Sequence, residues 1–128
     1  MNTLTIIAVA SGGALGATLR LLINGFVNKY VPHTLPFGTL TVNLLGSLII
    51  GMLFAYFHFN THLSPHLKTF MITGILGALT TYSTFAIESF FLLESGQYGY
   101  AFANMILNLF GTILLAGIGY IMVLNLAK

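Results

Sequence analysis

Apolar residues fall in four long blocks separated by short polar stretches, with no strict two-residue alternation anywhere along the chain. A segment apolar on all sides suits a helix surrounded by lipid or core, and about 20 such residues suffice to cross a bilayer. The first block predicts a span from about Leu4 to Val27. It contains Gly12, Gly13, Gly16 and Ala17, and Gly12 with Gly16 forms a small-xxx-small pair that lets helix backbones approach closely. Asn28, Pro32, His33 and Pro36 then mark a loop, because proline stops a helix and biases the residue before it away from helical geometry. A second span runs from about Phe37 to Phe57, with no charge but with Asn43 and Ser47. Asn60 to Pro65 form the next loop and lead to a third span at about Leu67 to Leu93. Ser95, Gly96 and Gln97 close it, and the fourth span runs from about Tyr100 to Leu126. The pattern predicts an all-α membrane protein of four transmembrane helices, a single domain over residues 1–128, with no internal repeat.

Composition agrees with lipid as the solvent: 57% of the residues are hydrophobic and 5% charged, against about 25% charged in a soluble domain. The net charge of +2 comes from Arg20, Lys29, Lys68 and Lys128 against Glu88 and Glu94, spread along the chain. No basic patch for nucleic acid results. The absence of cysteine excludes disulfides, thiolate metal sites and cysteine nucleophiles. Ala8-Val9-Ala10 mimics a leader cleavage site, but no basic region precedes it and the apolar run before it is short, so it is expected to belong to the first helix. Four spans put both termini on one side of the membrane. Lys68 and Lys128 then fall at one face, with Lys29 and a snorkelling Arg20 at the other. Lysine and arginine decide orientation, and a two-against-two count suggests insertion both ways round and assembly as an antiparallel, dual-topology homodimer.

The candidate chemistry concentrates in the third span, where Gly77-Ala78-Leu79-Thr80-Thr81-Tyr82-Ser83-Thr84-Phe85 crowds hydroxyls into what would otherwise be plain apolar helix. Two readings stand at this point. In one, the helix breaks near Gly77 to Thr80, exposing carbonyls that hold a cation, and restarts near Thr81 with Tyr82, Ser83 and Thr84 as donors. In the other it is continuous, its hydroxyls bonding back one turn and its glycines serving close packing. Glu88 is the one acid inside a span, which makes it a functional candidate or a hydrated residue near a helix end. Asn43 and Ser47 share a helix face, as do Asn104, Asn108 and Thr112. Such stripes either line a polar path or form interhelical hydrogen bonds, worth about 0.6 kcal/mol each on average. Arg20 either draws anions into a vestibule or anchors its helix at the interface. His58, His62 and His66 are four apart but lie in loop-forming sequence with no carboxylate nearby, so no metal site is expected there. No GxSxG, HExxH or Walker-type motif occurs, and nothing in the motifs points to an enzyme.

Gly12-Gly13-Ala14-Leu15-Gly16-Ala17 with Arg20, Gly38-Thr39-Leu40 through Asn43 and Gly46, and Gly77 through Phe85 with Glu88 together resemble the CrcB/Fluc family of bacterial fluoride channels. The resemblance covers essentially the whole chain. It implies an antiparallel homodimer in the bacterial inner membrane, with two pores that pass fluoride passively out of the cell. It also implies a sodium ion at the dimer centre, held by the backbone carbonyls of Gly77 and Thr80. Asn43 corresponds to the family's pore asparagine, Tyr82 and Phe85 to its paired phenylalanines, and Ser83 and Thr84 to the hydroxyls that follow. Tyr82 departs from the usual phenylalanine, which bears on rate and selectivity over chloride. Asn108 and Thr112 are candidates for the path from their stripe more than from the resemblance.

Two rival classes differ in what they require. A proton-coupled exporter of the small multidrug-resistance kind needs a carboxylate in its first helix, and this one has none. A structural subunit of a larger membrane complex would have no use for the hydroxyl-rich centre of the third span.

Overall fold

The computed structural model describes residues 2–128, which are helical throughout apart from short connections, with no strand among the described residues. Helix α1 is Thr3–Tyr30 and α2 is Phe37–Phe59. The third span, Pro65–Glu94, is composite: α3 (Pro65–Lys68), a π-helical segment (Thr69–Leu76), α4 (Gly77–Leu79) and, after an interruption, α5 (Tyr82–Glu94). Helix α6 is Tyr98–Leu126. The spans are 28, 23, 30 and 29 residues long. At about 1.5 Å per residue even the shortest exceeds the roughly 30 Å hydrocarbon thickness.

The helix ends follow from local chemistry. Asn2 caps α1 by accepting the Thr5 N–H at 2.9 Å, and Pro32 and Pro36 prevent its continuation beyond Tyr30. Ser64 accepts the His66 N–H at 3.2 Å, and Pro65 occupies the first turn of α3, where its missing N–H costs nothing. Between α5 and α6 the chain reverses through Gly96 at φ +77°, a left-handed conformation natural to glycine.

The outside of the molecule is apolar, and its interior mixes apolar with polar residues. Leu21, Leu22 and Phe26 of α1 and Ile113, Leu114 and Ile121 of α6 are exposed, whereas Thr39, Asn43, Thr81, Ser89, Asn104 and Asn108 are buried. The contiguous apolar cluster is small, Val42, Leu76 and Leu79 flanked by Ile23, Ile49, Ile50 and Leu53, with Leu40, Ala55, Phe57, Leu92 and Ala101 buried elsewhere. Lipid tails are as apolar as leucine, so burying more leucine would gain little; close backbone packing and hydrogen bonds hold such helices together. Helix α1 lies directly on the π-helical segment through Gly12 and Gly74. A Cβ on Gly74 would sit 2.8 Å from the Gly12 Cα. Helices α2 and α6 touch in the same way, since a Cβ on Gly51 would fall 2.9 Å from the Ala116 carbonyl carbon.

Candidate functional site

The third span leaves helical geometry at Thr80 (φ −80°, ψ 155°) and Thr81 (φ −147°, ψ 114°). The two threonine hydroxyls act differently: that of Thr80 bonds back to a carbonyl already paired in the helix, and that of Thr81 serves a freed backbone N–H. Thr80 Oγ1 donates to the Leu76 carbonyl at 2.9 Å, beside the Thr80 N–H that bonds the same carbonyl at 3.1 Å. Thr81 caps α5: its Oγ1 accepts the Thr84 N–H at 3.2 Å and donates to Thr84 Oγ1 at 2.9 Å. Of the two readings of this stretch, the broken helix is the one the chain adopts.

The remaining backbone groups of Thr81 are taken by a side chain 38 residues away. Asn43 Oδ1 accepts the Thr81 N–H at 2.8 Å, and Asn43 Nδ2 donates to the Thr81 carbonyl at 3.1 Å. The amide thus pairs with the extended residue as a neighbouring strand would. In an unbroken helix the Thr81 N–H would serve the Gly77 carbonyl four residues back; here it is turned to Asn43. The second Nδ2 hydrogen of Asn43 goes to Asn108 Oδ1 at 2.9 Å. Asn108 Nδ2 donates to the Asn104 carbonyl at 2.9 Å and to Asn104 Oδ1 at 3.0 Å, and Asn104 Nδ2 donates to Ser89 Oγ at 2.9 Å. Among the described residues, no buried side-chain nitrogen or oxygen lacks a partner.

Beside this network lies a groove of about 540 Å³, walled by Asn43, Gly46, Ser47 and Ile50 of α2, by Ile72, Leu76, Gly77, Thr80, Thr81, Tyr82 and Phe85 of the third span, and by Met105, Asn108, Leu109 and Thr112 of α6, so that its polar atoms stand in a largely apolar lining. Tyr82 is 81% exposed at its lip. Its ring meets Phe85 edge-on, with centroids 5.5 Å apart and planes at 74°, an arrangement that presents electropositive ring edges. Gly46 keeps the groove clear, since a Cβ there would run into the Thr80 methyl. Thr112 Oγ1 bonds back to the Asn108 and Leu109 carbonyls of its own helix. A second cavity of about 390 Å³ is lined by Thr34, Pro36, Glu88, Phe91, Leu92, Ser95 and Gln97. Its carboxylate accepts a hydrogen bond from Thr39 Oγ1 at 2.5 Å.

Gly77, Thr80, Asn43, Tyr82, Phe85, Asn108 and Thr112 therefore share one groove, while Ser83, Thr84, Arg20 and Glu88 do not lie on its wall. Ser83 is exposed on the first turn of α5 and Arg20 is half-buried on α1. Among the described residues, no three histidine or acidic side chains converge, so His58, His62 and His66 do not gather. Thr39 and Ser89 belong to the site although the sequence pattern does not single them out; Thr81 enters there only as the restart of the broken helix and Asn104 only as a member of the α6 stripe. Thr39 continues the Asn43 and Ser47 stripe one turn back, a periodicity that was an available signal. Ser89 carries no such signal.

Four spans, a third one interrupted at membrane depth, and amides and hydroxyls facing a groove define a helical multi-pass membrane protein of the channel and transporter class. Residues 7–120 match the family described as CrcB-like protein, Camphor Resistance (CrcB). The chain is 58% identical to the fluoride-specific ion channel FluC of Sulfurimonas denitrificans over 94% of its own length and 93% of the relative. It is 46% identical to the fluoride-specific ion channel FluC of Nautilia profundicola, with 91% of each chain covered. The fluoride-specific ion channel FluC of Campylobacter jejuni is 49% identical over 91% of this chain and 95% of that one. The chain belongs to the CrcB family, and it is a multi-pass protein of a bacterial membrane.

Proposed function

We propose that this protein is a fluoride channel that lets the anion leave the cytoplasm passively, as an antiparallel homodimer with two pores and a sodium ion at the dimer centre. The observation that carries the reading is the break at Thr80–Thr81 in the wall of a groove that sets a few amides and hydroxyls into a largely apolar lining, in a chain 58% identical to a relative named as a fluoride-specific ion channel. Fluoride is small and strongly hydrated, so a path through hydrocarbon must replace its water with donors and positive ring edges. Tyr82 and Phe85 offer edges on the groove wall, where Asn108 and Thr112 place protein-bonded polar groups as Asn43 does, while Ser83 and Thr84 offer hydroxyls on the first turn of α5, off that wall. Asn43 belongs to the path as the residue that shapes its wall, because both of its amide hydrogens are bonded to protein. Glu88 with Thr39 stands at the second cavity and Arg20 at a vestibule or anchor position on α1.

The dimer has its own physical argument. Irregular backbone at membrane depth is tolerated only where protein or water covers it, yet Thr80, Gly77 and the largely exposed Tyr82 border an open groove. A second, inverted copy would cover them. The donor chemistry at that place fits sodium: neutral carbonyl oxygens of Gly77 and Thr80, with no carboxylate on the groove wall. When bound there, the ion supplies a fixed positive potential between the two paths. No energy coupling is needed. Hydrogen fluoride enters as the neutral acid, dissociates in the less acidic cytoplasm and leaves its anion trapped. A membrane potential contributes about 2.3 kcal/mol per charge per 100 mV, which sustains a roughly 40-fold concentration ratio at about 1.4 kcal/mol per decade.

The test is fluoride efflux from liposomes holding the purified protein, read with a fluoride electrode after a potassium ionophore sets the voltage, with chloride run in parallel. Fast fluoride loss with little chloride loss is expected. Folded protein that releases neither anion refutes the channel, and proton-coupled export of organic cations becomes the assay to run.

A further inference from the structure

The amide chain behind the groove has a direction, and backbone groups set it at two points. The Thr81 N–H can only donate, so Asn43 must present Oδ1 to it and Nδ2 to both the Thr81 carbonyl and Asn108. Asn108 must therefore turn Oδ1 to Asn43 and Nδ2 away. Independently, the Asn104 carbonyl can only accept, and it too demands Asn108 Nδ2 on that side. Asn104 then receives Asn108 on Oδ1 and donates from Nδ2 to Ser89 Oγ, which serves as acceptor. From Asn43 onward the side-chain bonds to Asn108, Asn104 and Ser89 all run the same way, from α2 through α6 to α5. In a low-dielectric interior, bonds aligned head to tail polarise one another and resist any single amide turning over.

The two ends of this chain lie on either side of the interruption it serves. Asn43 grips Thr81, the residue just before α5, and Ser89 sits on α5 itself, two turns further on. Helix α6 thus ties the restarted half-helix to the same amide that holds the break. We propose that Asn104 and Ser89 are positioning residues for the break. Through Asn108 they hold the Asn43 amide in the one orientation that takes the Thr81 N–H from Gly77, and so keep the Gly77 and Thr80 carbonyls available to the groove. This deepens the channel reading and rests on it only for the purpose those carbonyls serve; the positioning role is measurable without transport.

The experiment uses the full-length protein in lipid nanodiscs or micelles, labelled with 15N-threonine, and follows amide hydrogen exchange at Thr81 with Thr18 of α1 as reference. Ser89→Ala and Asn104→Leu are each expected to speed exchange at Thr81 by about 3- to 10-fold, the range set by one net hydrogen bond, with Thr18 unchanged. Ser89→Thr, which keeps the acceptor oxygen, is expected to restore the wild-type rate. Fluoride efflux should fall in both disruptive variants and recover with Ser89→Thr. Uniform acceleration at Thr81 and Thr18 would mean that the residues serve global stability alone, and an unchanged Thr81 would mean that Asn43 holds the break unaided; either overturns the proposal. Should Asn104→Leu fail to fold, Ser89→Ala alone decides by the same readout. If wild-type protein passes no fluoride while Thr81 responds selectively, the channel reading falls and the positioning role stands.

Discussion

Replacing Asn43 by leucine keeps the branched outline of the side chain, at a somewhat larger volume, while removing every polar atom from it. Three groups then lose their partner: the Thr81 N–H, the Thr81 carbonyl and Asn108 Oδ1. Asn43, Thr81 and Asn108 are all buried, with Asn43 only 7% exposed, so the lost bonds can be replaced only from the groove side. An orphaned buried polar group costs about 1–3 kcal/mol. Taking the lower part of that range, because the chain relaxes around the site, the loss is about 3–6 kcal/mol. Folded proteins hold a margin of only about 5–15 kcal/mol, so the variant forfeits a large share of it. Thr112→Val is the matched control. Its hydroxyl bonds only to carbonyls of its own helix, and its removal should cost about 0.6 kcal/mol, the average for a membrane hydrogen bond. Asn43→Asp should also destabilise, keeping an acceptor for the Thr81 N–H but setting an oxygen against both the Thr81 carbonyl and Asn108 Oδ1. The assay is reversible unfolding in mixed micelles of increasing SDS fraction, followed by circular dichroism. If Asn43→Leu unfolds within about 1 kcal/mol of Thr112→Val, Asn43 does not hold the break and the reasoning fails.

Gly74→Val drives its side chain into the Gly12 backbone of α1, so overpacking should lower stability by about 1–3 kcal/mol in the same unfolding assay; an unchanged midpoint would mean that the two helices separate freely. Thr81→Val removes the α5 cap while leaving the backbone bonds to Asn43, and should cost about 1 kcal/mol, with faster amide exchange at Thr84 as its local signature. Tyr82→Phe deletes a hydroxyl from a side chain that is 81% exposed. Stability should stay within about 0.5 kcal/mol, while the ratio of fluoride to chloride efflux changes if that oxygen borders the path; an unchanged ratio would assign the hydroxyl no part in selectivity.

Where each helix begins and ends was readable along the chain because hydropathy and capping are local. Runs of apolar residues give the spans, prolines and Ser64 or Gly96 give the ends, and the hydroxyl cluster after Gly77 flagged the place where the third span departs from helix. Length and composition alone therefore determined a four-helix membrane protein. Which of two conformations that cluster adopts was not local, since Thr81 can bond back along its own helix or outward to another. Tertiary structure decided it, by delivering the Asn43 amide from 38 residues away.

The same distinction separates the stripes from the network. Periodicity put Asn43 and Ser47 on one face of α2 and Asn104, Asn108 and Thr112 on one face of α6, but a stripe does not name its partner. Asn43 meets Asn108 across 65 positions, Asn104 meets Ser89 across 15, and Thr39 meets Glu88 across 49. The first of these pairings depends on glycine contacts such as Gly51 against Ala116 that fix how deeply α2 and α6 interlock. Apolar character is a sum over neighbours in sequence, and the chain carries it wherever it goes. A hydrogen bond between helices exists only at one separation and one rotation of the pair, and those are properties of the packed bundle.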